Sequence, residues 1–284
     1  MARQEPRGDR VDLNGKIGIL TGASRGIGVF LAESLARKGV HLALAARVQA
    51  DLDRTADQLA PFGTKVVTVP TDVTDLRSLE ALVSRTTEEL GAPSLLVNNA
   101  GIEHYARFEQ YDTDLITQIM NTNVIGPQLL TRLVLPEMVR RRDGHIVNIA
   151  SVAGKTATPF NSIYSASKHA LVGFSWSLRE EMRTHGVGVS VVCPGFVSEA
   201  GMFSDWSGGK KPPGLAGSVS PQLVADKTIE AIEKNKAEVI VAPGIMKIVD
   251  VLHAISPELT TGIARRSGSY RFLEETALKA WEDK

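Results

Sequence analysis

The sequence is poor in cysteine: Cys193 stands alone, so no intrachain disulfide can form and a cysteine-built zinc cluster is excluded. It also lacks a surplus of either charge, with 32 Lys plus Arg against 32 Asp plus Glu. That balance argues against a general nucleic-acid binder, whose footprint is a strongly basic face. No apolar run approaches the ~18 residues that a membrane-spanning helix needs. The opening MARQEPRGDRVD has no apolar stretch of the kind that marks a secretory signal. The chain is therefore expected in the cytoplasm, with no resident metal. What is present is 284 residues, 43% hydrophobic and 23% charged. This is the composition of a globular protein able to bury roughly three quarters of its unfolded surface.

Short apolar runs at residues 16–20, 41–46, 65–70, 94–98, 145–150, 187–193 and 238–242 alternate with helical patterns near 26–38, 49–62, 76–90, 113–141, 164–185 and 221–235. The runs are nearly continuous, as in Leu42-Ala43-Leu44-Ala45-Ala46. Such strands belong to a parallel sheet covered by helices on both faces. The expected fold is therefore one α/β, doubly wound parallel sheet with right-handed crossovers. Residues 1–10 are expected to be a flexible N-terminus, 11–242 the catalytic domain and 243–284 a C-terminal helical extension of it. Residues 196–220, rich in Gly, Pro and Ser, look like a functional loop inside the domain. In the tail, Ile245, Met246, Ile248, Val249, Val251, Leu252 and Ile255 give a helix with one broad apolar face. That face is expected to pack on its own domain or on a second copy, with Lys247 and His253 as weak support for a membrane surface.

The first strand runs into Thr21-Gly22-Ala23-Ser24-Arg25-Gly26-Ile27-Gly28, followed by a helical pattern. Glycines at a strand-to-helix turn let backbone N–H groups approach an anion, and the helix N-terminus adds a favourable dipole. The spacing Gly-x-x-x-Gly-x-Gly is a variant of the dinucleotide fingerprint. At the end of the second strand an acid would hold a ribose 2′-hydroxyl, whereas an arginine accommodates a 2′-phosphate. The chain has Arg47 there and Arg25 in the turn, which favours NADP(H) over NAD(H). Residues 22–26 also fit the Gly-x-Ser-x-Gly elbow of serine hydrolases, with Ser24 as nucleophile. Only one strand precedes that elbow, and His253 in the apolar tail helix is a poor base. A dinucleotide-binding scaffold without catalysis is a further alternative.

The helix after the fifth strand carries Tyr164 and Lys168 one turn apart, on one face. A free phenol ionises near pH ~10, and a neighbouring ammonium lowers that value toward the range a general acid–base needs. Ser151, thirteen residues earlier, ends the fifth strand where a parallel sheet presents its crevice.

From residue 16 to 243 this arrangement resembles the short-chain dehydrogenase/reductase family. Its glycine motif stands as Thr21 to Gly28, and its adenine-side acid as Asp72, followed by Val73. Its Asn-Asn-Ala-Gly is Asn98-Asn99-Ala100-Gly101, and its Pro-Gly after the sixth strand is Pro194-Gly195. The resemblance implies a Rossmann-type sheet in the order 3-2-1-4-5-6-7. It implies hydride transfer between a nicotinamide and a carbonyl or alcohol carbon, with Asn123, Ser151, Tyr164 and Lys168 catalytic. Tyr164 would exchange the proton and Ser151 would polarise the carbonyl. Lys168 would tune the tyrosine and hold the nicotinamide ribose, and Asn123 would position a water beyond Lys168. Cofactor contacts would come from Gly22, Ser24, Arg25, Gly26, Ile27, Gly28, Arg47, Asp72, Val73, Asn99, Ala100, Gly101, Tyr164, Lys168, Pro194, Gly195 and Val197. One departure is clear: Glu199 stands where the family places a threonine against the nicotinamide carboxamide, with Ser198 as a possible substitute.

Substrate contacts are expected from Ser151, Ala153, Phe160, Tyr164, Phe196 and Met202, with Val152, Thr158, Asn161, His104, Phe203 and Trp206 nearby. This mostly apolar set suggests a lipophilic ketone or alcohol, although Lys210 and Lys211 could greet an anionic carrier. The resemblance also implies a homodimer or homotetramer formed through the helices near 113–141 and 164–185.

Overall fold

The structure, a computed structural model, describes residues 11–199, 201–202 and 217–282. Seven strands form one sheet in the order β3-β2-β1-β4-β5-β6-β7, and every neighbouring pair is parallel. They are β1 (Ile17–Thr21), β2 (His41–Ala46), β3 (Val66–Pro70), β4 (Leu95–Asn98), β5 (Gly144–Ile149), β6 (Val187–Pro194) and β7 (Glu238–Val241). Each lies within about a residue of its apolar run, because the central strands are buried on both faces and need no polar alternation. The crossover helices are α1 (Ile27–Arg37), α2 (Gln49–Leu59), α3 (Leu76–Glu89), α4 (Thr113–Met120), α5 (Gly126–Arg141), α6 (Ser162–Met182) and α7 (Pro221–Glu233). One core lies between the sheet and α1, α2 and α7, and a second between the sheet and α3, α5 and α6.

The long helix expected over 113–141 is interrupted. Residues Asn121–Ile125 form a π turn between α4 and α5. Part of its cause is local: Pro127 has no N–H to return to residue 123, and the Gly126 N–H instead reaches back five residues to the Asn121 carbonyl. A side chain at Gly126 is also excluded, since a Cβ there would stand 2.5 Å from the Val73 oxygen. The widened turn points Asn123 into the protein, fully buried.

Beyond β7 the chain forms α8 (Gly244–Ile255), α9 (Pro257–Arg266) and α10 (Ser269–Glu282). The apolar face expected on the first of these is divided. Met246, Val249 and Leu252 are half-buried, whereas Ile248, Val251 and Ile255 are 58%, 59% and 77% exposed. A charged contact anchors the segment: Lys155 Nζ lies 3.1 Å from Glu238 of β7 and 3.7 Å from Asp250 of α8, over the Trp176 ring. Among the described residues no helix is long and apolar enough to cross a membrane, and no acid, histidine and cysteine group is placed to hold a metal.

Candidate active site

The glycine turn closes against the end of β4. Thr21 Oγ1 accepts the N–H groups of Asn99 and Ala100 at 3.0 Å each, and Asn99 Nδ2 donates to the Thr21 and Gly22 carbonyls, also at 3.0 Å. Gly22 takes φ +65° with Ala100 so near that a Cβ would sit 2.9 Å from its Cα. Gly28 is excluded from having a side chain by the Gly22 oxygen, 2.0 Å from where its Cβ would stand. Helix α1 then begins at Ile27 with no side-chain cap and no acid in its first turn. The Gly28 N–H is taken by the Arg25 carbonyl at 3.2 Å, and no side chain caps the positive end of the helix dipole, which would suit an anion. Ser24 and Arg25 occupy the bend itself. Arg47 stands where β2 ends and lies within the field of Asp72. A glycine turn with an uncapped helix end and two arginines nearby fits an anionic dinucleotide.

Across the crevice, β5 and α6 bring the three chemical residues together. Ser151 follows β5, accepts the Ala153 N–H at 3.1 Å and donates to the Pro194 carbonyl at 3.4 Å, which fixes its hydroxyl near enough to Tyr164 to lower that phenol's value. Lys168 is 3% exposed, donates to the Ile149 carbonyl at 2.9 Å and stands 5.5 Å from the centre of the Tyr164 ring. Gly101 provides the space above it: a Cβ there would be 3.5 Å from Lys168 Nζ and 3.3 Å from Asn123 Oδ1. Asn123 clamps Ile102, accepting its N–H at 2.9 Å and donating to its carbonyl at 2.8 Å. It also reaches Ser167 of α6 at 3.0 Å. The π turn therefore ties the loop after β4 to α6.

The electrostatics differ from the simple expectation for a Tyr-x-x-x-Lys pair. Burial pushes the Tyr164 phenol well above its ordinary value, Glu103 adds to that, and the Ser151 hydrogen bond opposes it. Burial brings Lys168 down to about 8, against the pull of Glu103. Lys168 donates to a backbone carbonyl, and burial dominates the shift of the Tyr164 phenol. The protein's own groups thus hold Tyr164 as a neutral phenol, the form that can give a proton.

Other expected residues take more varied places. Asp72 accepts from the Thr74 N–H and hydroxyl at 2.9 and 2.7 Å, which lowers its carboxyl further. The Val73 carbonyl lies under Gly126. Pro194 offers its carbonyl to Ser151, and the Gly195 N–H is taken by Val241. Val197 buries its side chain in the core beside α1 and pairs with Val219, leaving its backbone for contact. The Ser198 hydroxyl donates to the Val219 carbonyl at 3.3 Å, and Glu199 adopts a left-handed φ of 68°. Phe160 and Phe196 gather with Tyr105, Tyr270, Phe272, Leu273 and Ala277, so α10 roofs the cleft. Met202 enters next to Gly201, which packs on Gly26 at the mouth of the glycine turn. Phe203, Trp206, Lys210 and Lys211 lie outside the described residues, as do 1–10. His253 is bonded to Thr260 at 2.7 Å within the tail, far in role from Ser24. Asn161 was expected near the pocket, but Glu103 and Tyr105, which its side-chain amide links, were not expected from sequence. No local motif marks them, since the contact joins positions 58 residues apart.

A seven-stranded parallel sheet of this order, with a glycine cradle at one strand end and a Ser–Tyr–Lys group at another, defines a Rossmann-type oxidoreductase. The comparison with known proteins makes that assignment specific. Residues 16–210 match the short chain dehydrogenase family, and the chain belongs to it. It is similar to the ketoacyl reductase HetN of Nostoc sp., 40% identical over 270 residues and covering 93% of both chains. It is also similar to the dehydrogenase/reductase SDR family member 7B of Bos taurus, 32% identical over 252 residues, covering 85% of this chain and 78% of that one. Among solved structures, an actinorhodin polyketide ketoreductase variant crystallised with NADPH superposes with a TM-score of 0.77 at 28% identity. The match covers 84% of this chain and 99% of that one.

Proposed function

We propose that the chain is an NADP(H)-dependent reductase that interconverts a ketone and a secondary alcohol on a lipophilic substrate. The observation that carries this reading is Tyr164, buried one helical turn from Lys168, whose Nζ stands 5.5 Å from its ring centre. Ser151 acts on it from the end of β5, at the end of the sheet that also holds the glycine turn. The ketoreductase relatives and the NADPH in one of them support it. NADPH, when bound, supplies the hydride. Ser151 holds the carbonyl oxygen beside Tyr164 Oη, which gives it a proton. Lys168, still largely protonated at neutral pH, has two N–H bonds beyond the one to Ile149 with which to hold ribose hydroxyls. The neutral phenol suits reduction more than oxidation. Arg25 and Arg47 support the 2′-phosphate, and the aromatic cleft under α10 supports an apolar substrate. The reading extends to a homodimer or homotetramer, as family membership implies, and to the cytoplasm, with which the single buried cysteine is consistent.

The test is Tyr164→Phe, assayed by NADPH consumption with a panel of ketones. Turnover should fall by roughly 10²–10⁴, the range for a lost general acid, while NADPH binding persists. A variant with near-normal kcat refutes the assignment. Wild-type protein that binds NADPH but turns over none of the panel favours the scaffold alternative.

A further inference from the structure

Helix α8 reads GIMKIVDVLHAI, apolar enough to have packed its richest side on the domain. It is turned the other way. Its polar Asp250 and His253 face inward: Asp250 lies 3.7 Å from Lys155 Nζ, and His253 Nδ1 meets Thr260 Oγ1 at 2.7 Å. Met246, Val249 and Leu252 go in beside them, half-buried. Lys155 is pinned in turn by Glu238 of β7 at 3.1 Å and by the Trp176 ring, so the contact fixes the rotation of the helix. What this rotation leaves outside is Ile245, Ile248, Val251 and Ile255, all exposed. Three or four residues apart in turn, they fall on one side of the helix and form one aliphatic strip. Turning the strip inward would take Asp250 from Lys155 and His253 from Thr260. Single exposed aliphatics are ordinary, whereas a contiguous strip marks an interaction surface.

Charge says what kind of surface meets it. The strip holds no acid, and the polar side chain that flanks it is Lys247, exposed four residues before Val251. Helix α9 has the same character: it exposes Leu259 and Ile263, with Arg266 on their side. Because Asp250 is held inward, the exposed charges of α8 and α9 are Lys247, Arg265 and Arg266 against Glu258 alone. A protein partner would call for aromatic anchors and hydrogen-bonding groups at the centre of its footprint, and this strip has neither. In a two-fold pair the patch would meet itself, bringing Lys247 toward its own copy. We propose that α8 and α9 dock the protein on the surface of an anionic lipid bilayer, the aliphatic strip entering the headgroup boundary and the cations meeting lipid phosphate. A helix of 12 residues lies in such a surface without crossing it. The proposal goes beyond the reductase reading and does not depend on it.

The test is co-sedimentation of the full chain with vesicles of phosphatidylcholine, with and without phosphatidylglycerol, beside gel filtration in the absence of lipid. Wild type should pellet with the mixed vesicles, bind phosphatidylcholine alone about tenfold less and be released by added salt. Ile248→Ser with Ile255→Ser should weaken partitioning by about tenfold or more, since each methylene withdrawn from the interface is worth roughly fourfold. Lys247→Glu with Arg266→Glu should weaken it by about tenfold or more on the mixed vesicles, each cation near the surface being worth roughly fivefold. All four substitutions are at exposed positions, so the melting temperature should match wild type and certify the fold. No sedimentation, or equal binding to both kinds of vesicle, overturns the proposal. Binding that survives Ile248→Ser with Ile255→Ser also overturns it, because the contact then lies elsewhere. A concentration-dependent dimer that this variant dissolves, without lipid binding, gives the strip to a second copy and overturns the lipid surface. Sedimentation is read without NADPH or ketone, so its failure leaves the reductase reading standing, and failed turnover leaves the docking result standing.

Discussion

Replacing Gly28 by alanine separates the glycine turn's role in binding from its role in folding. Helix propensity alone favours alanine at this α1 position by about 1 kcal/mol. The new Cβ would stand 2.0 Å from the Gly22 oxygen, where contact closer than 3.0 Å forces a shift. The Gly22 carbonyl must therefore retreat by about 1 Å, since the overlap cannot be relieved within a helix backbone. Its bond from Asn99 Nδ2, now 3.0 Å, is then lost, a further cost of about 1 kcal/mol. Overpacking of this kind costs about 1–3 kcal/mol, so the protein should remain folded but melt a few degrees lower. If the turn's N–H groups meet the pyrophosphate as proposed, they move with it, and losing one charge-assisted bond should weaken NADPH binding by roughly 10- to 100-fold. The assay is NADPH fluorescence titration beside thermal unfolding. Gly173→Ala is the internal control: Gly173 lies exposed within α6 with nothing within 4 Å of a Cβ. It should gain about 0.5–1 kcal/mol and leave NADPH binding unchanged. A Gly28→Ala protein that binds NADPH within a factor of about two of wild type would refute the cradle, since that difference is under ~0.5 kcal/mol.

Two further predictions concern charge. Arg47→Ala together with Arg25→Ala should reduce the preference for NADPH over NADH by about tenfold or more, or ~1.4 kcal/mol, read as a ratio of Kd values; an unchanged ratio sinks the two-arginine argument. His145 is fully buried against Ser190, and burial lowers it to about 3. The unfolded chain takes up this proton near pH ~6.5 and the native protein does not, so stability is full above that value and declines as pH falls toward 3. Urea midpoints measured from neutral pH downward should show this slope, and His145→Gln should flatten it. An equal slope in both proteins would assign the acid sensitivity elsewhere.

The strands were legible because burial on both faces writes them as unbroken apolar runs, and β2 and β6 match theirs almost residue for residue. Tyr164, Lys168 and Ser151 were legible because their chemistry depends on local spacing and on strand ends. The π turn was not, since its cause is a missing N–H at Pro127 combined with close packing of Gly126 on Val73, a residue over fifty positions away. Glu103 was missed for a similar reason: its meaning lies in Asn161, brought near only by folding. The high value of Tyr164 also escaped, because sequence shows the lysine beside it but not the depth at which both are buried. The tail was expected as a helix with a single apolar face, whereas its last helix closes the cleft and its first leaves several isoleucines and a valine in water.

The bonds from Asn99 to Thr21 and Gly22 bear on how the chain acquires its cofactor site. With every strand pairing parallel, no two strands join through a hairpin, and β1 meets β4 only after some seventy-five intervening residues. Loop closure over that distance is a slow step of assembly. The phosphate cradle, although its glycines are contiguous, becomes rigid only when the fourth strand arrives. A nascent chain halted before Asn99 would carry the whole glycine motif and still lack the hydrogen bonds that shape it, so closure of the turn reports the arrival of the fourth strand, with three more of the sheet still to come.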